Sequence, residues 1–284
     1  MPITLLTLGA CLLHGPLNSV IRLESSVTTT AAKMNIPTAE TYSVGEAIQL
    51  LRFFAGEIDV PAEVRPFCGL QPEFDSRRDI GSRFFEGDVA VFEPNAPVDL
   101  VFEGYCISRA KLFRLITDPI KTTADAARAA NVWYHQGLIA GNESLRSEMA
   151  TKLVEFVPED FPNRALAVSV LQSLRGVGRS QQDLAGGIRI VRDLLPMPLL
   201  LVTYTHQYTP DGRPIPWPPD FVESVIAAAE TLGLPYLDPS QMVMQEGVQK
   251  ALTPDRTHYQ EEFGTKMGRA IVAAAAQMLK EKAA

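Results

Sequence analysis

Three short apolar runs, each closed by turn-forming residues, restrict what this chain can fold into more than any other feature. The first is Ile3-Thr4-Leu5-Leu6-Thr7-Leu8, which breaks into Gly9-Ala10-Cys11-Leu12. The second is Asp88-Val89-Ala90-Val91-Phe92, followed by Glu93-Pro94-Asn95-Ala96-Pro97. The third, Pro198 through Tyr204, leads into a proline-rich loop that extends to Pro219. Apolar runs of about 4–8 residues without polar alternation suit strands buried on both faces. A shorter strand, Pro235-Tyr236-Leu237, follows a stretch at 220–232 whose Phe221, Val225, Ile226 and Ala229 recur at helical spacing. Strands alternating with helices require crossover connections, and right-handed crossovers build a parallel sheet covered on both sides. The expected fold is therefore α/β, a three-layer parallel sheet.

The middle of the chain reads differently. Over 123–195 the pattern is helical, in Ala124–Asn131, Ser144–Phe156 and Ala165–Leu174, with no strand expected between them. This predicts a helical insertion, serving as lid or interface, between an N-terminal core part at 1–122 and a C-terminal core part at 196–284. A last helix is expected over 260–280, with Phe263, Met267, Ala270, Ile271 and Ala274 on its sheet-facing side. Lys280 and Lys282 suit the negative end of its dipole.

A net charge of −7 without a dense Lys/Arg cluster argues against nucleic acid as a partner. Three scattered cysteines, Cys11, Cys68 and Cys106, do not make a disulfide framework and suit a reducing compartment. The N-terminal apolar run has no basic flank and is interrupted by Thr4, Thr7 and His14, so it reads as a core strand and not a signal peptide. No apolar run reaches membrane-spanning length. A cytoplasmic protein without a membrane partner is the expectation. Neither a Gly-x-Gly-x-x-Gly turn nor a P-loop follows a strand, which disfavours a nucleotide cofactor.

Ligands of open α/β sheets bind outside the carboxyl ends of the strands. Cys11, Asn95 and His206 follow the three main runs, and Asp255-Arg256-Thr257-His258 follows the last short strand. In these segments the chain resembles the SGNH (GDSL-type) hydrolase superfamily. Gly9-Ala10-Cys11-Leu12 stands where that superfamily has Gly-Asp-Ser-Leu, Glu93-Pro94-Asn95-Ala96 keeps only the asparagine of Gly-x-Asn-Asp, and Asp255-x-x-His258 matches the third motif in full. The resemblance implies an SGNH/flavodoxin-like sheet with Cys11 in place of the nucleophilic serine, His258 as base and Asp255 as the group that orients it. It further implies an oxyanion hole from the Asn95 amide and the Cys11 N–H, with Gly45 the candidate for the glycine of the second block. The plainer reading of Gly45 is a turn residue, and it is the one favoured.

These roles are chemically coherent. A thiol is a better nucleophile at neutral pH than a hydroxyl, and histidine can take and return its proton. Ala10 leaves no acid beside the thiol in sequence, which predicts an easier ionisation. His14, three residues after Cys11, would share its helix face and could activate it or bind the donor's polar group. Cys11 and His14 supply two ligands at most, so a zinc site is not expected. His206 is placed to line the pocket. The expected function is acyl transfer on an ester or thioester, as a hydrolase or an O-acyltransferase acting on a small-molecule or carbohydrate ester. No cofactor is required, with acyl-CoA as donor if the reaction is a transfer. The alternative is a non-catalytic small-molecule or carbohydrate-binding protein on the same fold, with Cys11 an inert thiol.

Overall fold

The computed structural model describes residues 2–34, 40–70, 81, 83–209, 211–215 and 220–283. Parts of the proline-rich loop, Pro210 and residues 216–219, lie outside the described residues. The described residues form two compact units, one of residues 1–58, 74–97 and 180–284, the other of 59–73 and 98–179.

The first unit holds a parallel sheet of β1 (Ile3–Leu8), β2 (Val27–Thr29), β3 (Val89–Phe92), β7 (Leu199–Val202) and β10 (Tyr236–Leu237). Strands β4 (Val98–Phe102), β5 (Tyr105–Cys106) and β6 (Arg175–Gly178) belong to the second unit, and the short pair β8 (Gln207–Tyr208) and β9 (Pro214–Ile215) forms a separate ribbon. The order across the main sheet is β2-β1-β3-β7-β10, with every pairing parallel. Numbered within the sheet, that is 2-1-3-4-5, the doubly wound order in which the winding reverses between β1 and β3. The expected three-layer α/β fold is observed. The edge strand β2 escapes the sequence pattern because Val27-Thr28-Thr29 is too short and polar to resemble a buried run.

The helices of this unit are α1 (Cys11–Leu23), α2 (Thr30–Met34), α3 (Val44–Phe54), α7 (Gln181–Leu194), α8 (Phe221–Leu232), α9 (Pro239–Glu246), α10 (Val248–Ala251) and α11 (Glu261–Ala283). Strand side chains alternate between the two faces. Leu5, Val89, Val91, Leu200 and Val202 point to one face, where they pack with Leu13, Leu17 and Val20 of α1 and Met267, Ile271 and Ala275 of α11. Leu6, Leu8, Ala90, Phe92, Leu199 and Leu201, also buried, point to the other face. Ala275 is fully buried on this side, and Ala274, expected there, is partly buried against the same cluster. Helices α1 and α11 approach closely because position 268 is glycine: a Cβ there would lie 2.4 Å from the Pro16 carbonyl oxygen and 2.7 Å from a Val20 methyl.

The second unit contains α4 (Ala124–Val132), α5 (Glu143–Glu155) and α6 (Arg164–Ser173), matching the three helices expected from spacing. It is not purely helical. Strand β4 (Val98–Phe102) pairs antiparallel with β5 (Tyr105–Cys106) and with β6 (Arg175–Gly178). The expected strand-free stretch at 123–195 therefore contains β6, whose Arg-Gly-Val-Gly sequence is mostly exposed and carries no apolar alternation to betray it. Gly176 is required there, since a Cβ would fall 1.9 Å from the Leu138 carbonyl oxygen. The unit also begins earlier than 123 and ends before α7, which belongs to the sheet-bearing unit. Its capping box, with Ser180 and Asp183 exchanging hydrogen bonds, marks the re-entry into the core.

Candidate functional site

The site-bearing segments of the first unit are held by the carboxyl ends of its strands. After β1, Gly9 accepts the Thr41 N–H through its carbonyl at 2.9 Å. After β3, the Asn95 and Ala96 N–H groups both donate to the Tyr42 carbonyl at 2.9 Å. Bridges Gly9–Glu40 and Ser43–Ala96 complete the arrangement, so the 40–43 segment joins the ends of the two strands that flank the reversal point.

Cys11 is the first residue of α1 and is exposed. Its N-cap is Ala10, which has no side-chain acceptor, so no cap competes for the first-turn amides. The Cys11 and Leu12 N–H groups stabilise the thiolate, as a helix N-terminus does. They are outweighed. Desolvation is the largest influence raising the thiol pKa, followed by the carboxylates of Glu93 and Glu40. The acid missing at position 10 is thus supplied in space by two glutamates, and the easier ionisation expected from Ala10 is not what the surroundings favour.

His14 lies in the same helix, buried, with Nε2 3.0 Å from the Gly9 carbonyl oxygen. A carbonyl only accepts, so Nε2 carries the proton and is committed to the turn that presents Cys11. Burial lowers the His14 pKa and keeps the ring neutral, opposed by that hydrogen bond and by Glu40. Gly45 is the second residue of α3, buried, inside the turn capped by the Ser43 side chain, which accepts the Glu46 N–H at 3.2 Å.

His258 and Asp255 meet directly, Nδ1 to Oδ2 at 2.7 Å. Asp255 also accepts the Thr253 hydroxyl at 2.7 Å and the Thr257 and His258 N–H groups at 2.8 and 3.1 Å. These donors, the Thr253 hydroxyl foremost, hold its carboxyl well below the usual aspartate range. The tight loop requires Arg256 in the left-handed region, at φ 58°. The loop is anchored by its neighbour: the hydroxyl of the partly buried Tyr259 hydrogen-bonds Thr205 beyond β7. Burial raises the Tyr259 pKa, and the Glu93 charge adds to that rise. Because Glu93 acts on both Cys11 and Tyr259, the thiol and the residue after His258 belong to one electrostatic neighbourhood.

Asn95 is half-buried and its side chain hydrogen-bonds the Glu93 carboxyl. His206 follows β7 and is partly buried; its N–H donates to the Ser240 hydroxyl at 3.0 Å, and Nε2 lies 3.9 Å from Glu223. Its Nδ1 is buried with no hydrogen-bond partner among the described residues. A cleft of about 720 Å³ beside the 253–256 loop is lined by Asp211, Val248, Lys250, Thr253, Pro254 and Arg256. Neither Cys11 nor His258 lines it. Among the described residues no three His, Cys, Asp or Glu side chains converge as a metal site, and no helix is long and apolar enough to cross a membrane.

Two participants went unassigned in the sequence. Glu93 stands within Glu93-Pro94-Asn95-Ala96, and an acid directly after a wholly buried strand is its signal. Glu40 lies outside every motif and gave none.

Fold and geometry together define a class: a three-layer α/β protein whose polar groups gather at the reversal point of a parallel sheet. More particularly, the chain belongs to the TviD N-terminal domain family, whose model matches residues 3–274. A relative, the Vi polysaccharide biosynthesis protein TviD of Salmonella typhi, is 26% identical over 241 residues, 82% of this chain and 27% of that protein. The chain thus spans about a quarter of the length of the curated relative it matches. No solved structure matches.

Proposed function

We propose that this chain catalyses acyl transfer to or from a saccharide through a thioester on Cys11, with His258 as general base and Asp255 as its orienting group. The observation that carries the proposal is the 2.7 Å contact between His258 Nδ1 and Asp255 Oδ2, in a loop whose other hydrogen bonds fix the carboxylate. An imidazole held through Nδ1 offers Nε2 to a nucleophile. The SGNH resemblance, carried by Asp255-x-x-His258 and the asparagine after β3, supports the same roles. The relative's name, a polysaccharide biosynthesis protein, supports a saccharide as the other reactant.

The steps balance without a metal or redox partner. Cys11 Sγ attacks the acyl carbonyl while its proton passes to His258, and the Cys11 N–H and the Asn95 amide hold the oxyanion. Collapse breaks the bond to the donor's leaving group, which takes the proton back from His258. A saccharide hydroxyl, or water in the hydrolytic case, then gives its proton to His258 and attacks the thioester, and the Cys11 thiol is regenerated. An acyl-CoA is the donor class proposed for transfer. Each oxyanion donor of this kind is worth on the order of 100-fold in rate.

One observation favours a second reading, carbohydrate binding without catalysis: the surroundings of Cys11 keep it a thiol. Intact-mass spectrometry separates the two. The protein is mixed with acetyl-CoA or with a short-chain activated ester. Acyl transfer predicts an adduct that maps to Cys11, is absent in Cys11→Ala and forms more slowly in His258→Ala. No adduct from either donor, with a slowly alkylating Cys11, would leave the binding reading.

A further inference from the structure

The most unusual group in the molecule is Glu93. It is 1% exposed, directly after β3 at the reversal point of the sheet, and among the described residues no cation forms an ion pair with it. Its Oε2 accepts the Ala10 N–H at 3.2 Å, and the Asn95 side chain hydrogen-bonds the same carboxyl. Its own N–H donates to the Leu8 carbonyl at 2.8 Å, tying it to the end of β1. The fit around it is close: a Cβ at Gly9 would lie 3.0 Å from the Glu93 Cβ, so glycine at position 9 makes room for it.

We propose that Glu93 is a positioning residue for the Cys11 centre, its uncharged carboxyl bracing the Ala10 turn and the Asn95 amide while keeping negative charge away from the thiolate and the oxyanion. The inference rests on the role of Cys11 proposed above. Two contacts fix the geometry, one to the residue before the nucleophile and one to an oxyanion donor. The charge state follows from the setting. Burial pushes the Glu93 pKa up to about 8, against the lowering effect of its hydrogen bonds to Ala10 and Asn95. Near neutrality the group is a carboxylic acid that can still accept the Ala10 N–H. When it ionises, a buried negative charge sits beside the position where the thiolate and oxyanion form, and both are disfavoured.

Cys11 lies on α1, Tyr259 precedes α11, and Tyr204 and Tyr208, beyond β7, act with Glu93 on Tyr259. Glu40 acts on Cys11 and His14 from the segment across β1. Burial raises the pKa of Tyr208 and of Tyr259. Glu40 is exposed, whereas Glu93 is buried.

The decisive measurement is the pH profile of Cys11 alkylation by iodoacetamide, followed by peptide mass spectrometry, in the full chain and in Glu93→Gln. Glutamine is the uncharged isostere and keeps an acceptor for Ala10. The expected result is a Cys11 midpoint lower by about one pH unit in Glu93→Gln, with Cys68 and Cys106 unmoved. An unchanged Cys11 midpoint would overturn the proposal. This readout needs no turnover, so it stands or falls apart from the acyl-transfer reading. Where turnover is measurable, wild-type rates should fall off above about pH 8 and those of Glu93→Gln should continue to rise, whereas Glu93→Asp, too short to reach Ala10, should keep the fall-off and be slower throughout. If Glu93→Gln does not fold, carboxyl-carbon NMR of the wild-type chain, compared with Cys11→Ser, takes its place. A buried glutamate titrating near 8 is expected, and one titrating in the ordinary carboxylate range would refute the proposal.

Discussion

Replacing Gly268 by alanine tests the packing that holds α1, and with it Cys11, against the sheet. Helix propensity alone favours alanine over glycine by about 1 kcal/mol in a helix interior. The structure reverses that sign. The added Cβ would meet the Pro16 carbonyl oxygen at 2.4 Å, a backbone atom of α1, and a Val20 methyl at 2.7 Å. An ordinary carbon–oxygen contact is about 3.4 Å, so α1 and α11 must part by about 1 Å. Overpacking of this kind costs roughly 1–3 kcal/mol, and a rigid helical carbonyl argues for the upper half of that range. Net destabilisation should therefore be about 1–2 kcal/mol. Gly186 in α7 is the matched control, because a Cβ there meets nothing within 4 Å. Gly186→Ala should gain up to about 1 kcal/mol. Urea unfolding followed by far-UV circular dichroism reads both, with midpoints moving in opposite directions and slopes unchanged. A Gly268→Ala midpoint at or above wild type would refute the close-packing argument. A displacement of about 1 Å at the Cys11 end should also slow acylation, by up to roughly 100-fold.

Glu93 makes stability depend on pH in a defined direction. Its carboxyl is raised from an ordinary 4.5 to about 8, so between these values the unfolded chain releases a proton that the folded chain keeps. Stability should fall as pH rises from about 4.5 to 8 and level off beyond, by at most about 5 kcal/mol. Urea midpoints for Glu93→Gln should be flatter over that window, and parallel curves for the two proteins would contradict the assignment. His14→Ala should destabilise by about 1–2 kcal/mol through loss of the bond to Gly9 and of packing, with His14→Gln recovering part of it. If instead His14→Ala folds normally and abolishes Cys11 acylation, His14 has a chemical role and not a structural one.

The sequence by itself determined the α/β layering and the order of elements. Val89–Phe92 and Leu199–Val202 are wholly buried runs, as strands of a parallel sheet covered on both faces should be. It also located the Asp255–His258 pair, because four residues of one loop meet through local geometry. What only the tertiary structure decided depends on neighbours distant in sequence. Strands β4 and β6 pair across about 75 residues and leave no local trace, so the second unit could not be delimited from spacing. The surroundings of Cys11 are of the same kind. Ala10 suggested a thiol free of acids, yet Glu93 and Glu40 reach it from the ends of two other segments. Charge acts through space and burial sets its strength, and neither is a property of the residues adjacent in the chain.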